Sequence, residues 1–158
     1  MASNEVAQYF FDTSALVKRY HKEEGTEQVR NIFAPTENLV RISTLGAVEI
    51  HSAFAVKVRA GQLTREAAQV LTDGVLADLV SGRVKPYSVT DRHFADAERI
   101  VRQFSYDHRL RSLDAIQLSV ALDLRSQGPA DSIVTADRTV QDVASLIGLA
   151  VLNPQDRW

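Results

Sequence analysis

A nearly unbroken apolar run, Ala7-Gln8-Tyr9-Phe10-Phe11, ends on an acid, Asp12, and passes at once into Thr13-Ser14-Ala15-Leu16. Bulky runs without alternation form strands covered on both faces, the position of strands in a parallel sheet. Thr13 or Ser14 then caps the helix that follows. An acid placed there lies at the carboxyl edge of a central strand, where open α/β sheets bind their ligands. The chain repeats the arrangement in Ser132-Ile133-Val134-Thr135-Ala136-Asp137. Two strands that deliver an aspartate to one edge point to a metal site more than to scaffold.

Caps and breakers divide the remainder. Helices are predicted over 14–24, over 25–34 with Pro35 as the stop, over 44–60 from Thr44 to Gly61, and over 64–81 from Thr64 to Gly82. Further helices are predicted over 90–104 from Thr90, over 112–127 from Ser112 to Gly128-Pro129, and over 138–147. Strands are predicted over 38–42, over 84–89, where Pro86 weakens the reading, and over 149–152. Strands alternating with helices imply right-handed crossovers. The expected fold is an α/β three-layer sandwich with a mostly parallel central sheet. The paired helices between the second and third strands form a helical arm. No repeat, low-complexity tract or linker divides residues 1–158, so one domain is expected.

The chain has no cysteine, which excludes a thiolate metal site, a cysteine nucleophile and a disulfide scaffold. Charges interrupt every apolar run, so no membrane span is expected. Met1-Ala2-Ser3-Asn4-Glu5 lacks the basic segment and apolar core of a secretion signal, and a cytoplasmic protein is expected. A net charge of −2 argues against an overall basic coat for nucleic acid, but leaves room for a basic strip beside an acidic pocket.

Two further acids matter for their helical positions. Glu49 shares a face with Leu45, Ser52 and Val56, with no Lys or Arg one turn away. A half-buried, unpaired carboxylate needs a metal, a donor or a raised pKa. Asp114 falls in the first turn of the helix starting at Ser112, where the dipole favours an anion. Each acid also has a structural reading: Asp12 and Asp137 as helix caps, Asp114 as a first-turn acid, Glu49 in an ion pair with a distant arginine. Together at one sheet edge, four carboxylates repel unless a divalent cation joins them. Oxygen-only sites of this kind suit Mg²⁺, with Mn²⁺ as a substitute.

Asp12-Thr13-Ser14-Ala15-Leu16, Val48-Glu49-Ile50, Leu110-Arg111-Ser112-Leu113-Asp114-Ala115-Ile116-Gln117-Leu118 and Thr135-Ala136-Asp137 together resemble the PIN-domain ribonucleases, most of all the VapC-like toxins of toxin–antitoxin pairs. The match runs in order over essentially the whole chain, including Gly148-Leu149-Ala150-Val151-Leu152-Asn153-Pro154. The resemblance implies a Mg²⁺-dependent endoribonuclease, usually a homodimer, held in check by a cognate antitoxin. It also implies that Asp12, Glu49, Asp114 and Asp137 are the catalytic and metal-binding acids. Some members carry a further acid beyond the fourth, for which Asp142 is the nearest candidate here.

Thr13 and Ser14 read as caps with a second use in supporting the acids. Lys18, Arg19, Arg109 and Arg111 flank the acidic edge and are candidates to hold RNA phosphates, each with a solvated face as its plainer reading. The four histidines show no metal-ligand spacing and read as surface or structural. Val70, Leu71, Val75, Leu76, Leu79 and Val80 form a stripe on the arm wide enough for both core and a dimer contact. Two rival classes are weighed. A phosphoacceptor signalling domain needs paired acids after the first strand and a lysine near the last, and neither is present. A catalytically silent PIN fold that only binds RNA or protein predicts a missing acid, and all four are present.

Overall fold

Phe10 and Phe11 of β1 (Gln8–Phe11) point to opposite faces of the sheet, and each face carries its own core. Phe10 packs with Ile100, Leu118, Ile133 and Val140; Phe11 packs with Leu16, Val29, Ile50 and Val134. The strand is thus buried on both faces, as its unalternating sequence predicts. The computed structural model describes residues 6–128 and 132–158; the readings of the first five residues and of Pro129 lie outside these.

Five strands form one sheet: β1, β2 (Leu39–Ser43), β3 (Val84–Tyr87), β4 (Ser132–Val134) and β5 (Val151–Leu152). Their order is β3-β2-β1-β4-β5, and every pairing is parallel. Helices α1 (Thr13–Tyr20), α2 (Thr26–Phe33), α3 (Thr44–Arg59) and α4 (Arg65–Val80) supply the layer over Phe11. Helices α5 (Asp91–Phe104), α6 (Ser112–Ser126) and α7 (Arg138–Leu146) supply the layer over Phe10. The three-layer sandwich is as expected, and the sheet is wholly parallel. Strand order reverses between β1 and β4, so a crevice opens at their carboxyl ends. Pro86 is tolerated because β3 pairs with β2 alone, at the edge.

The expected caps shift by one residue at three helices. Asp12 holds the N-cap position of α1, Ser43 that of α3 and Arg111 that of α6. Ser43 Oγ accepts the Gly46 amide at 2.9 Å, while the Thr44 hydroxyl accepts the Val89 amide at 3.1 Å and ties α3 to the segment after β3. A second difference concerns Asp137. Phe11 pairs with Val134, so the residue level with Asp12 is Thr135, and Asp137 lies two residues on, capping α7.

Of the histidines, His93 is buried. Its Nδ1 accepts the Thr90 amide at 2.9 Å, so Nε2 carries the proton and donates to Asp123 at 2.9 Å. Burial pushes the Asp123 carboxyl up, but hydrogen bonds from His93, Gln127 and Tyr87 outweigh it and hold the carboxyl below its usual range. This network fastens α5 to α6. On the arm, Val75 is core, whereas Val70, Leu76 and Val80 are exposed. No helix among the described residues is long and apolar enough to cross a membrane.

Candidate active site

All four acids line one open cavity of about 320 Å³ in the crevice. Asp12 is carried there by β1. Its amide donates to Val134 O at 3.0 Å, continuing the ladder to β4 for one more residue. Its carbonyl then accepts the Ala15 and Leu16 amides and starts α1. The backbone is that of an N-cap, yet the carboxylate makes no capping bond. Instead Asp12 Oδ2 accepts the Ser14 hydroxyl at 2.7 Å and the Thr135 hydroxyl at 3.0 Å. Ser14 Oγ in turn accepts the Ala136 amide at 3.0 Å. One hydroxyl therefore clasps the ends of two strands and aims the acid, so the supporting use of Ser14 outranks the capping one.

Glu49 lies in the second turn of α3. Its Oε1 accepts Gln117 Nε2 at 2.7 Å and the Thr13 hydroxyl at 3.3 Å. This answers the expectation of a distant arginine partner: the donors are a neutral amide and a hydroxyl. Gln117 lies three residues after Asp114 on α6, one turn along the same face. It is 1 % exposed, and its Oε1 accepts the Ser43 hydroxyl at 2.7 Å. As a single glutamine in an apolar helix, Gln117 carries no periodic signal in the sequence. Its signal was chemical: an uncharged polar side chain among Ala115, Ile116 and Leu118 needs partners.

Burial pushes both Asp12 and Glu49 above the usual carboxylate range. The charge of Asp114 adds to the rise at both, and that of Asp12 adds at Glu49. The hydroxyl and amide donors offset only part of this. The acids are therefore close enough to repel.

Asp114 and Asp137 have a different partner. Arg111 Nε and Nη2 donate to the two oxygens of Asp114 at 3.0 and 3.2 Å, and Nη2 reaches Asp137 Oδ2 at 3.5 Å. The Arg111 amide also donates to Asp114 Oδ2 at 3.2 Å. Asp137 Oδ1 accepts the Val140 amide at 3.1 Å, so its capping role holds alongside its place in the cavity. With the Arg111 side chain 74 % exposed, these pairs are each worth only about 0–1 kcal/mol.

Other expected residues fall elsewhere. Lys18 is 4 % exposed and pairs with Glu23 at 2.8 Å, which also takes Lys57 at 2.7 Å. Arg19 pairs with Asp78 at 3.2 Å and lies over the Phe33 ring. Packing thus leaves Lys18 no surface for a phosphate and turns Arg19 towards α4. Arg109 and Arg111 remain exposed. Asp142 pairs with Arg138 at 3.2 Å outside the cavity, so it is not a further acid of this site.

The donor set is oxygen alone, which fits Mg²⁺ or Mn²⁺ and not a soft metal. Among the described residues no three acidic or imidazole side chains already converge as a finished cage. Arg111 instead occupies the oxygens of Asp114 and one oxygen of Asp137. The chemistry of the residues fits a divalent ion, which Asp12, Glu49, Asp114 and Asp137 could hold if Arg111 moved aside.

Gln117→Leu provides a check on this arrangement. It strips the buried Ser43 hydroxyl of its acceptor and Glu49 of its shortest bond. Loss of about 1–3 kcal/mol in urea unfolding is expected, the usual penalty for a buried partner left unpaired. A loss under about 0.5 kcal/mol, the range of neutral surface changes, would mean that the amide holds nothing in place.

Several solved structures share this fold. FitAcB from Neisseria gonorrhoeae matches with a TM-score of 0.64 at 16% identity, over 94% of this chain and 99% of that one. PAE2754 from Pyrobaculum aerophilum matches at 0.63 and 19% identity, over 92% and 83%. VapBC2 from Rickettsia felis, bound to a DNA fragment from its promoter, matches at 0.61 and 14% identity, over 92% and 98%. No curated relative matches the chain in sequence. The family model described as PIN domain matches residues 9–146, which span β1 through α7 and all four acids; the chain belongs to the PIN domain family.

Proposed function

We propose that the protein is a Mg²⁺-dependent endoribonuclease, with Mn²⁺ as a substitute, and the toxin of a type II toxin–antitoxin pair in the cytoplasm. The observation that carries the nuclease reading is the set of four acids around one cavity at the β1/β4 switch point, in a PIN-domain chain. The toxin reading rests on similarity of fold to chains of toxin–antitoxin complexes, including one from Klebsiella pneumoniae with a TM-score of 0.60 at 16% identity.

When bound, a divalent ion activates water and offsets the charge that develops on a phosphodiester during in-line attack. The chain's own residues do the positioning. Ser14 and Thr135 aim Asp12, and Gln117 and Thr13 aim Glu49. Arg111, exposed at the cavity, and Arg109, exposed two residues before it in sequence, would receive RNA phosphates. Val56 and Leu113, both exposed, line the same cavity and give it an apolar rim. An antitoxin segment with an apolar face and a terminal Arg or Lys fits both features. Exposed Val70, Leu76 and Val80 on α4 suit a homodimer contact.

The test is cleavage of a labelled single-stranded RNA with Mn²⁺, with Mg²⁺ and with EDTA. Cleavage is expected with either ion and none in EDTA. Phosphate uptake from acetyl phosphate without cleavage would favour a signalling domain. Binding of RNA without cleavage would favour a silent module.

A further inference from the structure

Arg111 is the one basic side chain that touches the acids of the cavity among the described residues. Its guanidinium lies along both oxygens of Asp114 and reaches Asp137. Those oxygens use towards it the lone pairs that a cation would need. The same planar fork fits a phosphate as well as it fits a carboxylate. Its side chain is mostly in solvent, so it leaves Asp114 without opening any core. When it leaves, the Arg111 amide still donates to Asp114 Oδ2 and keeps that carboxylate aimed.

We infer that Arg111 exchanges partners: it is the cavity's own counter-ion in the free protein, and it moves to a nucleic-acid phosphate when substrate arrives, which frees Asp114 and Asp137 for the divalent cation. The inference rests on the nuclease reading above. Substrate binding and cation binding are then coupled, and linkage makes the coupling reciprocal. An oligonucleotide tightens the cation, and the cation tightens the oligonucleotide by the same factor. The cavity thereby holds the cation less tightly in the absence of RNA.

The experiment measures Mn²⁺ affinity by electron paramagnetic resonance, with and without a short single-stranded oligodeoxynucleotide, after subtracting Mn²⁺ held by the oligonucleotide alone. The proteins are wild type, Arg111→Ala, Arg111→Lys and Arg109→Ala. Arg109 is exposed and makes no ion pair among the described residues, so its loss removes the same charge without touching the acids. Without oligonucleotide, Arg111→Ala is expected to bind Mn²⁺ several-fold tighter than wild type, up to about tenfold, which is the worth of exposed ion pairs. It should also lose the gain that the oligonucleotide brings to wild type. Arg111→Lys should fall between, because a lysine keeps the charge but not the fork. Arg109→Ala should match wild type without oligonucleotide. Without oligonucleotide, equal or weaker Mn²⁺ binding by Arg111→Ala overturns the exchange, as does an equal tightening in Arg109→Ala, which would reduce the effect to overall charge. If wild type cleaves RNA and binds Mn²⁺ while Arg111→Ala binds Mn²⁺ no tighter than wild type without oligonucleotide, the exchange alone fails. If wild type binds no Mn²⁺ in either state, the nuclease reading falls with it.

Discussion

Asp12→Asn is expected to abolish metal-dependent RNA cleavage while leaving the metal-free protein as stable as wild type, or more so. The loss of activity should exceed the roughly 10–100-fold typical of losing an outer-shell partner, because under the proposed function Asp12 would hold the ion itself. The stability argument runs through burial. Burial pushes the Asp12 carboxyl up, and the charge of Asp114 adds to it. Asparagine keeps the shape and an oxygen for Ser14 and Thr135, but carries no charge to desolvate or repel. A carboxyl whose folded pKa is raised stabilises fully below its unfolded pKa, and that contribution is lost as pH rises through the folded value. In EDTA, wild type should therefore lose stability relative to Asp12→Asn as pH rises from acid through that elevated range. Glu49→Gln should behave in the same sense, since Glu49 is raised by the same causes. Asp114→Asn should lose activity without the gain, because Arg111 already compensates its charge. Mn²⁺ should raise the melting temperature of wild type and do so much less for Asp12→Asn, by mass action. Paired thermal melts across pH, with EDTA or Mn²⁺, measure all of this. A clear fall in the neutral-pH melting temperature of metal-free Asp12→Asn would show that the acid is structural.

Phe11→Ala should destabilise the protein by about 3–5 kcal/mol, a large share of the 5–15 kcal/mol typical of a domain. Phe11 is fully buried in the central strand and meets Phe33 edge-on, with ring centroids 5.6 Å apart. Neighbouring strands on both sides prevent β1 from sinking into the vacancy, so the cavity persists. Because Asp12 is the next residue, the vacancy should also loosen the proposed metal site. Urea unfolding gives the first quantity and Mn²⁺ affinity the second. A loss below about 1 kcal/mol would mean that the layer of α1 to α4 refills the space.

Much of this was legible along the chain because it is local. The apolar run before Asp12 specifies a two-sided strand wherever it folds, and Thr64 and Thr90 precede their helices as expected. The acids were legible because each breaks an apolar or capped pattern whose position is set by its own neighbours. Lys18 was misjudged for the complementary reason. A lysine reads as solvated unless its surroundings are known, and the packing of α1 against α2, α3 and α4 buries Lys18 beside Glu23, which Lys57 of α3 also reaches.

The sequence alone determined that this is a parallel α/β chain with acids at its strand and helix starts, since periodicity, caps and apolar runs act within a few residues. Only the tertiary structure decided what each acid touches. Gln117 and Glu49 are 68 positions apart, Thr135 and Asp12 are 123 apart, and Arg111 reaches Asp137 across 26. No local rule reports such pairs. They are set by strand register and helix packing, and they arise only where β1 and β4 lie side by side and bring α3, α6 and α7 to the same crevice.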